Sequence, residues 1–347
     1  MNKTTIVVSP LKHLRMILSI AILLLLLLLP QVITSPYHLD ILILIFLWGA
    51  LAEAYNISGG YAGQFSLGHS AFLALGAYSS TILFLKLGIS PWFGAVVGAA
   101  LAAVVSLLLG SVTFRLRGPF LGLATMAFAE VTQIVAINWR SLTLGSEGIG
   151  IPFKPGMMNM IFADKVGYYY LGLLFCSGTV LITWLISRSR LGYYLIATRE
   201  NQDAARALGV NTTGVKSISL LISAALTAVG GTFYAQYILY IDPNSLASFD
   251  VAIQFPLIAV VGGIGTVFGP IVGAAIMIPL SQILRSTISG TVAGLDLALY
   301  GLILMLVVLF TPQGLIVEAQ LLLRKGRAAL TRRRRSSQCG GSMKPLQ

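Results

Sequence analysis

The chain has 347 residues, 56% hydrophobic and only 10% charged, against about 25% charged in an ordinary soluble domain. That balance, with a mean hydropathy of +0.88, excludes a water-soluble fold, and it excludes disorder as well, because disordered chains have low hydrophobicity. The net charge of +12 would suggest nucleic acid in a soluble protein, but basic residues gathered in the loops of a membrane protein report topology first, so no nucleic-acid partner is expected.

Apolar stretches of about 20 residues, long enough to cross a hydrocarbon core of about 30 Å, lie near 14–34, 39–58, 64–86, 91–113, 118–139, 166–187 and 214–240. Two shorter pieces follow, near 247–263 and 267–285, separated by Gly262-Gly263-Ile264-Gly265, and a last span covers 293–311. The expected fold is an all-α integral membrane protein, a polytopic helical bundle with about ten crossings, some of its helices broken or re-entrant. The first stretch follows Lys12 and Arg15 as a signal peptide would, but no small-residue cleavage site follows Leu29, so it reads as a retained helix.

Starting from a cytoplasmic N-terminus, this count leaves only Lys86, Arg140, Lys154, Lys165 and Arg285 of the basic residues outside. The asymmetry sets the orientation, with both termini cytoplasmic. Residues 1–13 are then a cytoplasmic N-terminus, 14–316 the membrane domain with a cytoplasmic loop at 188–213, and 317–347 a basic cytoplasmic tail, read as a solvated disordered end with attraction to anionic membrane lipid as the lesser alternative. Cys176 and Cys339 share no plausible geometry, and no disulfide, metal site or cofactor is expected in this chain.

Catalytic motifs are poorly represented. Ser66 and His69 stand a helical turn apart, but a nucleophile elbow needs Gly where Gln64 stands, and a strand before it. The stretch Gly209 to Ser217 misses phosphate-loop spacing by one residue, so any ATP chemistry belongs to another chain. No catalytic residue is assigned.

Gly59, Gly60, Gly63, Gly68 and Gly76, and later Gly262, Gly263, Gly265, Gly269 and Gly273, allow close helix packing. Gly59 to Gly68 and Gly262 to Pro270 also read as broken helices whose free backbone groups border a polar passage. Glu53, Glu130 and Asp296 fall in or near spans, where an unpaired charge is disfavoured by at least about 2.5 kcal/mol, so they are expected to face the bundle interior, Glu130 pairing with Gln133 or a neighbouring helix. The residues expected along a passage are Glu53, Gly63, Gln64, Ser66, His69, Glu130, Gly262 and Gly263.

In the loop at 188–213, Asn201 can cap a short helix with Asp203 in its first turn, and Gly209 can close it. Two turns are not stable alone in water. Its surface of Ala204, Ala205 and Leu208, ringed by Arg199, Glu200, Asp203 and Arg206, suits a cleft on a partner protein better than a lipid surface.

These blocks together resemble the branched-chain amino acid ABC transporter permeases, in particular the M-type of the two permease subunits. Four carry the likeness: Gly59 to Phe72 continuing to Tyr78; Arg117 to Phe120 through Thr125, Glu130 and Asn138 to Ile149; Arg199 to Asn211; and Val261 to Ala274, spanning roughly 39–316. Pro119 and the tail beyond Arg324 depart from the pattern. The resemblance implies a permease subunit, not an enzyme, in an ATP-driven importer of branched-chain or other hydrophobic amino acids in a bacterial inner membrane. Implied partners are a second homologous permease, two ATP-binding subunits carrying ATP and Mg, and a soluble substrate-binding protein. It also makes Arg199, Glu200, Asp203, Ala204, Ala205, Leu208 and Gly209 the loop that contacts the ATPase. Related permeases carry urea or short amides, and an ion-coupled secondary transporter is a further alternative, weakened by the scarcity of intramembrane acids.

Overall fold

The computed structural model describes residues 25–33, 35–114, 116, 118–288, 295–310 and 314–318. It is a bundle of helices, and eight of the described ones are long and apolar enough to cross a membrane. They match the stretches read from 39–58 through 267–285. Residues 25–32 are helical, the rest of the 14–34 span lies outside the described residues, and the last span appears as a helix of 16 residues, Leu295–Phe310. The tail beyond residue 318, and the side chain of Asp296, also lie outside them.

Proline starts many of these helices, since it lacks an N–H that the first turn leaves unpaired anyway. Helix α1, Pro36–Asn56, follows Ser35; α2, His69–Leu87, ends at Gly88 in a left-handed conformation; α3, Pro91–Thr113, follows Ser90; α4, Pro119–Asn138, follows Gly118. Helix α5, Lys165–Arg188, is followed by two loop helices, α6, Arg190–Glu200, and α7, Gln202–Ala207. Then come α8, Thr212–Ile238, α9, Pro243–Ala247, α10, Phe249–Gly262, and α11, Gly269–Ile288. Asp242 Oδ1 caps α9, accepting from Asn244 N and Ser245 N at 2.9 and 3.0 Å.

Helix α1 is the axis of the bundle. Every residue from Phe46 to Ala62 is buried, as expected of a helix apolar on all sides. Ile43, Leu47, Leu51 and Tyr55 sit in a core with Tyr169 of α5 and Phe255 of α10, and the Phe46 and Tyr169 rings meet edge to face at 5.2 Å.

Small residues set the closest crossings, where lipid supplies no hydrophobic drive and packing must hold helices together. A Cβ on Gly76 of α2 would strike the Ala228 carbonyl of α8, and one on Gly231 of α8 would strike the Leu73 carbonyl of α2. Thr232 Oγ1 donates to Gly76 O at 3.2 Å across the same crossing. Helices α10 and α11 meet likewise, with Gly262 against Gly269 and Gly273 against Ile258. The glycine blocks therefore serve packing and chain breaks together.

Two ends of the bundle are distinguished by their contacts. At one end, Lys165 pairs with Asp40, Tyr237 donates to the same carboxylate, and a two-residue antiparallel ladder joins Ile149–Gly150 to Tyr240–Ile241. The other end carries the loop of α6 and α7, hereafter the loop end.

Several expectations need correction here. The span at 64–86 begins five residues late, because Ala62 to Gly68 is irregular backbone. The two pieces flanking Gly262 to Gly265 are not short: α9 with α10 covers Pro243–Gly262, and α11 is a full helix, so each is long enough to cross. The loop at 188–213 holds two helices rather than one, since Ser189 Oγ caps α6 by accepting from Gly192 N at 3.3 Å.

Candidate functional site

At the loop end, α1 does not stop cleanly. It widens into a π turn, Ile57–Tyr61, and then leaves helical geometry, with Gly63 at φ +66°. Such turns are rare and concentrate at functional positions. The second break, between Gly262 and Gly269, contains Gly263 at φ +125° and Gly265 at φ +79°, a backbone that other residues adopt only under strain.

Asn56 joins the two breaks. Its Oδ1 accepts from Gly265 N at 2.7 Å, and its Nδ2 donates to Thr266 O at 2.9 Å. A helix-terminal amide thus satisfies a donor and an acceptor that the broken chain leaves free.

Arg199, near the end of α6, fits between the same two breaks. Its Nη1 donates to Gly60 O at 3.0 Å, a Cβ on Gly63 would lie 2.7 Å from its Cγ, and a Cβ on Gly265 would lie 2.8 Å from its Nη1. Glu200 Oε1 accepts from Arg199 Nε and Nη2 at 3.2 and 2.8 Å, which fixes the guanidinium plane. Glycine at 63 and 265 is therefore what leaves room for the arginine, while a Cβ on Gly60 would strike Asn56 Oδ1 and Gly265 N.

From this anchor the chain passes directly into α7. Asn201 Oδ1 accepts from Asp203 N and Ala204 N at 3.1 and 3.0 Å, and Gly209 closes the helix at φ +87°, as the sequence predicts. Arg206 Nε donates to Thr212 Oγ1 and Lys216 Nζ to Gln202 Oε1, both at 2.8 Å, so α7 is stitched to the start of α8. Asp203, Ala204 and Gly209 are exposed and Leu208 is 86% exposed. Ala205 is buried beneath them, because Val210 N donates to its carbonyl and folds the chain back over it, so it does not belong to the offered face. A pocket of about 330 Å³ opens beside the anchor, lined by Gly63, Phe65, Leu116, Arg199, Asn201 and Lys216 among others.

The residues expected along a passage divide. Glu53, Gln64, Ser66, His69, Gly262 and Gly263 are buried inside the chain. Glu53 Oε2 accepts from Asn56 Nδ2 at 3.5 Å and lies beside Thr183. Ser66 Oγ accepts from Gly68 N at 3.2 Å, within its own turn. His69 Nε2 is 2.7 Å from Ser223 Oγ and 3.4 Å from Ser58 Oγ, and Ser223 donates to Ala54 O at 2.7 Å, a buried polar node tying α1, α2 and α8. Ser66 and His69 do not pair with each other. Gly63 is exposed beside Arg199. Glu130 is exposed on α4 instead of facing the bundle, and Gln133, its expected partner, donates to Asn244 Oδ1 at 3.0 Å.

Sequence reasoning missed α6, Asn56 and Ser223. A serine before an amphipathic run signals the first, and a lone asparagine inside an apolar span signals the second. Nothing local signals Ser223, whose partners lie 154 and 169 residues away.

A many-helix membrane bundle with a capped loop helix anchored in broken spans is the form of a transport permease. The chain matches the family model described as the branched-chain amino acid transport system / permease component over residues 37–308, and it belongs to that family. It is 27% identical to the high-affinity branched-chain amino acid transport system permease protein LivM of Salmonella typhimurium, covering 85% of this chain and 74% of that protein. It is also 25% identical to LivH of Escherichia coli K12, covering 78% and 91%, and 24% identical to the nucleoside ABC transporter permease protein NupC of Lactococcus lactis, covering 51% and 60%.

Proposed function

We propose that this chain is one of two permease subunits of an ATP-driven importer for branched-chain or related hydrophobic amino acids, placed in a bacterial inner membrane with α6 and α7 on the cytoplasmic side. The partners in this reading are a second homologous permease, two ATPase subunits that carry ATP and Mg, and a soluble binding protein on the opposite face. Covalent chemistry is left to the ATPase subunits.

The observation that carries the reading is the physical continuity from α7 to both helix breaks. Asp203, Ala204 and Leu208 form an exposed face on a helix too short to be stable unsupported. Asn201 caps that helix, and the residues just before it, Arg199 and Glu200, are wedged against Gly60 and Gly265. A push on α7 by closing ATPase subunits is thereby delivered to the points where α1 and the α10–α11 pair are already interrupted. Packed bundles respond to such a push by rigid rocking rather than by local bending, which would open the passage to each side in turn. Amino-acid specificity is drawn from the LivM and LivH relatives.

The test is co-purification from the native membrane followed by uptake in proteoliposomes. The reading expects two ATPase chains and a second permease, with leucine uptake that needs ATP and the binding protein. Isolation as a lone oligomer that transports on an ion gradient would overturn it.

A further inference from the structure

Glu130 is the twelfth residue of α4, roughly 16 Å from one end of the helix and about 12 Å from the other at 1.5 Å per residue. It is exposed and central in a spanning helix, and no described residue pairs with it. Phe120, Leu123, Ala127, Val131 and Ile134 share its exposed face. Gln133, one turn away, is held by Asn244, so the nearest amide is already engaged.

The surface of α3 provides the contrast. Its exposed row of Phe93, Val96, Val104, Leu108 and Val112 carries no charge, as a lipid-facing row should. A carboxylate at mid-depth is found against protein or water and not against acyl chains. The described residues leave Glu130 uncovered, so its cover comes from beyond them. Ala127, a turn below it, is small enough to admit a neighbouring helix or a solute beside the carboxylate.

We propose that the α4 face carrying Ala127, Glu130 and Ile134 lines the substrate passage where this chain meets the second permease, and that Glu130 meets the ammonium group of the amino-acid zwitterion. This rests on the importer reading above. A carboxylate there favours a solute that carries a cationic group over one that does not. Glu130 is a specificity-determining residue in this account: α4 borders the pocket beside Arg199 at Leu121, and Glu130 lies about 13 Å further along the helix at 1.5 Å per residue.

Two measurements on the complete complex in proteoliposomes test it. Glu130→Gln should lower leucine uptake about tenfold, largely through a higher KM, while Glu130→Asp retains most of it and neither changes assembly. In a background where Cys176 and Cys339 are replaced by Ser, Glu130→Cys should react with a charged, water-soluble methanethiosulfonate and be protected by leucine, whereas Val104→Cys should not react. Wild-type uptake by Glu130→Gln, or failure of the charged reagent to reach position 130, would overturn the proposal. A wild-type complex that takes up no leucine would overturn the importer reading and the ammonium assignment with it, while the labelling still decides whether this face is wet.

Discussion

Arg199 sits between Gly60, Gly63 and Gly265, with Glu200 holding its guanidinium flat. Replacement by Ala leaves the Gly60 carbonyl without its charged donor, and a buried acceptor left unpaired costs about 1–3 kcal/mol. Arg199→Ala should therefore lower the thermal midpoint of the purified complex, whereas Arg190→Ala, at an exposed position, should shift stability by no more than about 0.5 kcal/mol. Equal midpoints for the two variants would remove the anchor from the account. The residues around Arg199 were visible in the sequence as a glycine block and a loop, but not as one site. Asn56 and Gly265 lie 209 positions apart, and no local pattern joins an asparagine to a backbone that distant.

At the scale of elements, α7 was legible because its stop and start signals are local: an asparagine cap, an acid in the first turn and a glycine at the end. Its face was less legible, since Ala204 and Ala205 look alike in sequence while one is exposed and the other buried. Loss of the cap in Asn201→Ala should destabilise α7 by about 1 kcal/mol, read as faster amide exchange at 203–207 with no change in the spans. Unchanged exchange there would mean that the stitches from Arg206 and Lys216, not the cap, hold the helix. Ala205 replaced by a charged residue would test folding of the loop and not docking, because the side chain has no access to a partner. Glu130 was legible as an intramembrane acid, yet its direction was not, as the 3.6-residue period of α4 gives a face but not what that face meets.

Across the whole molecule, the order of the spans followed from apolar length, and the eight described helices long enough to cross a membrane fall where hydropathy puts them. The crossing of α2 and α8 depends on a different kind of information, the absence of side chains at Gly76 and Gly231, each facing a carbonyl of the other helix. Backbone cannot move aside as a side chain does, so Gly76→Leu should cost at least the roughly 1–3 kcal/mol typical of overpacking. The expected outcome is a sharp fall in folded permease recovered from the membrane by size-exclusion chromatography, and normal recovery would contradict the packing described. Because α2, α8 and α1 share that crossing and the His69–Ser223 node, these three helices should move as one body when the loop end is pushed.

The central claim is that α7 carries the drive from the ATPase into the two helix breaks, and Leu208 tests it most directly. At 86% exposed it contributes nothing to this chain's own packing, so Leu208→Glu should leave the permease folded. With uptake and ATP hydrolysis measured on the same proteoliposomes, the account predicts that leucine uptake per ATP falls about tenfold or more, the equivalent of roughly 1.4 kcal/mol of lost contact. Wild-type uptake and stoichiometry in Leu208→Glu would contradict it.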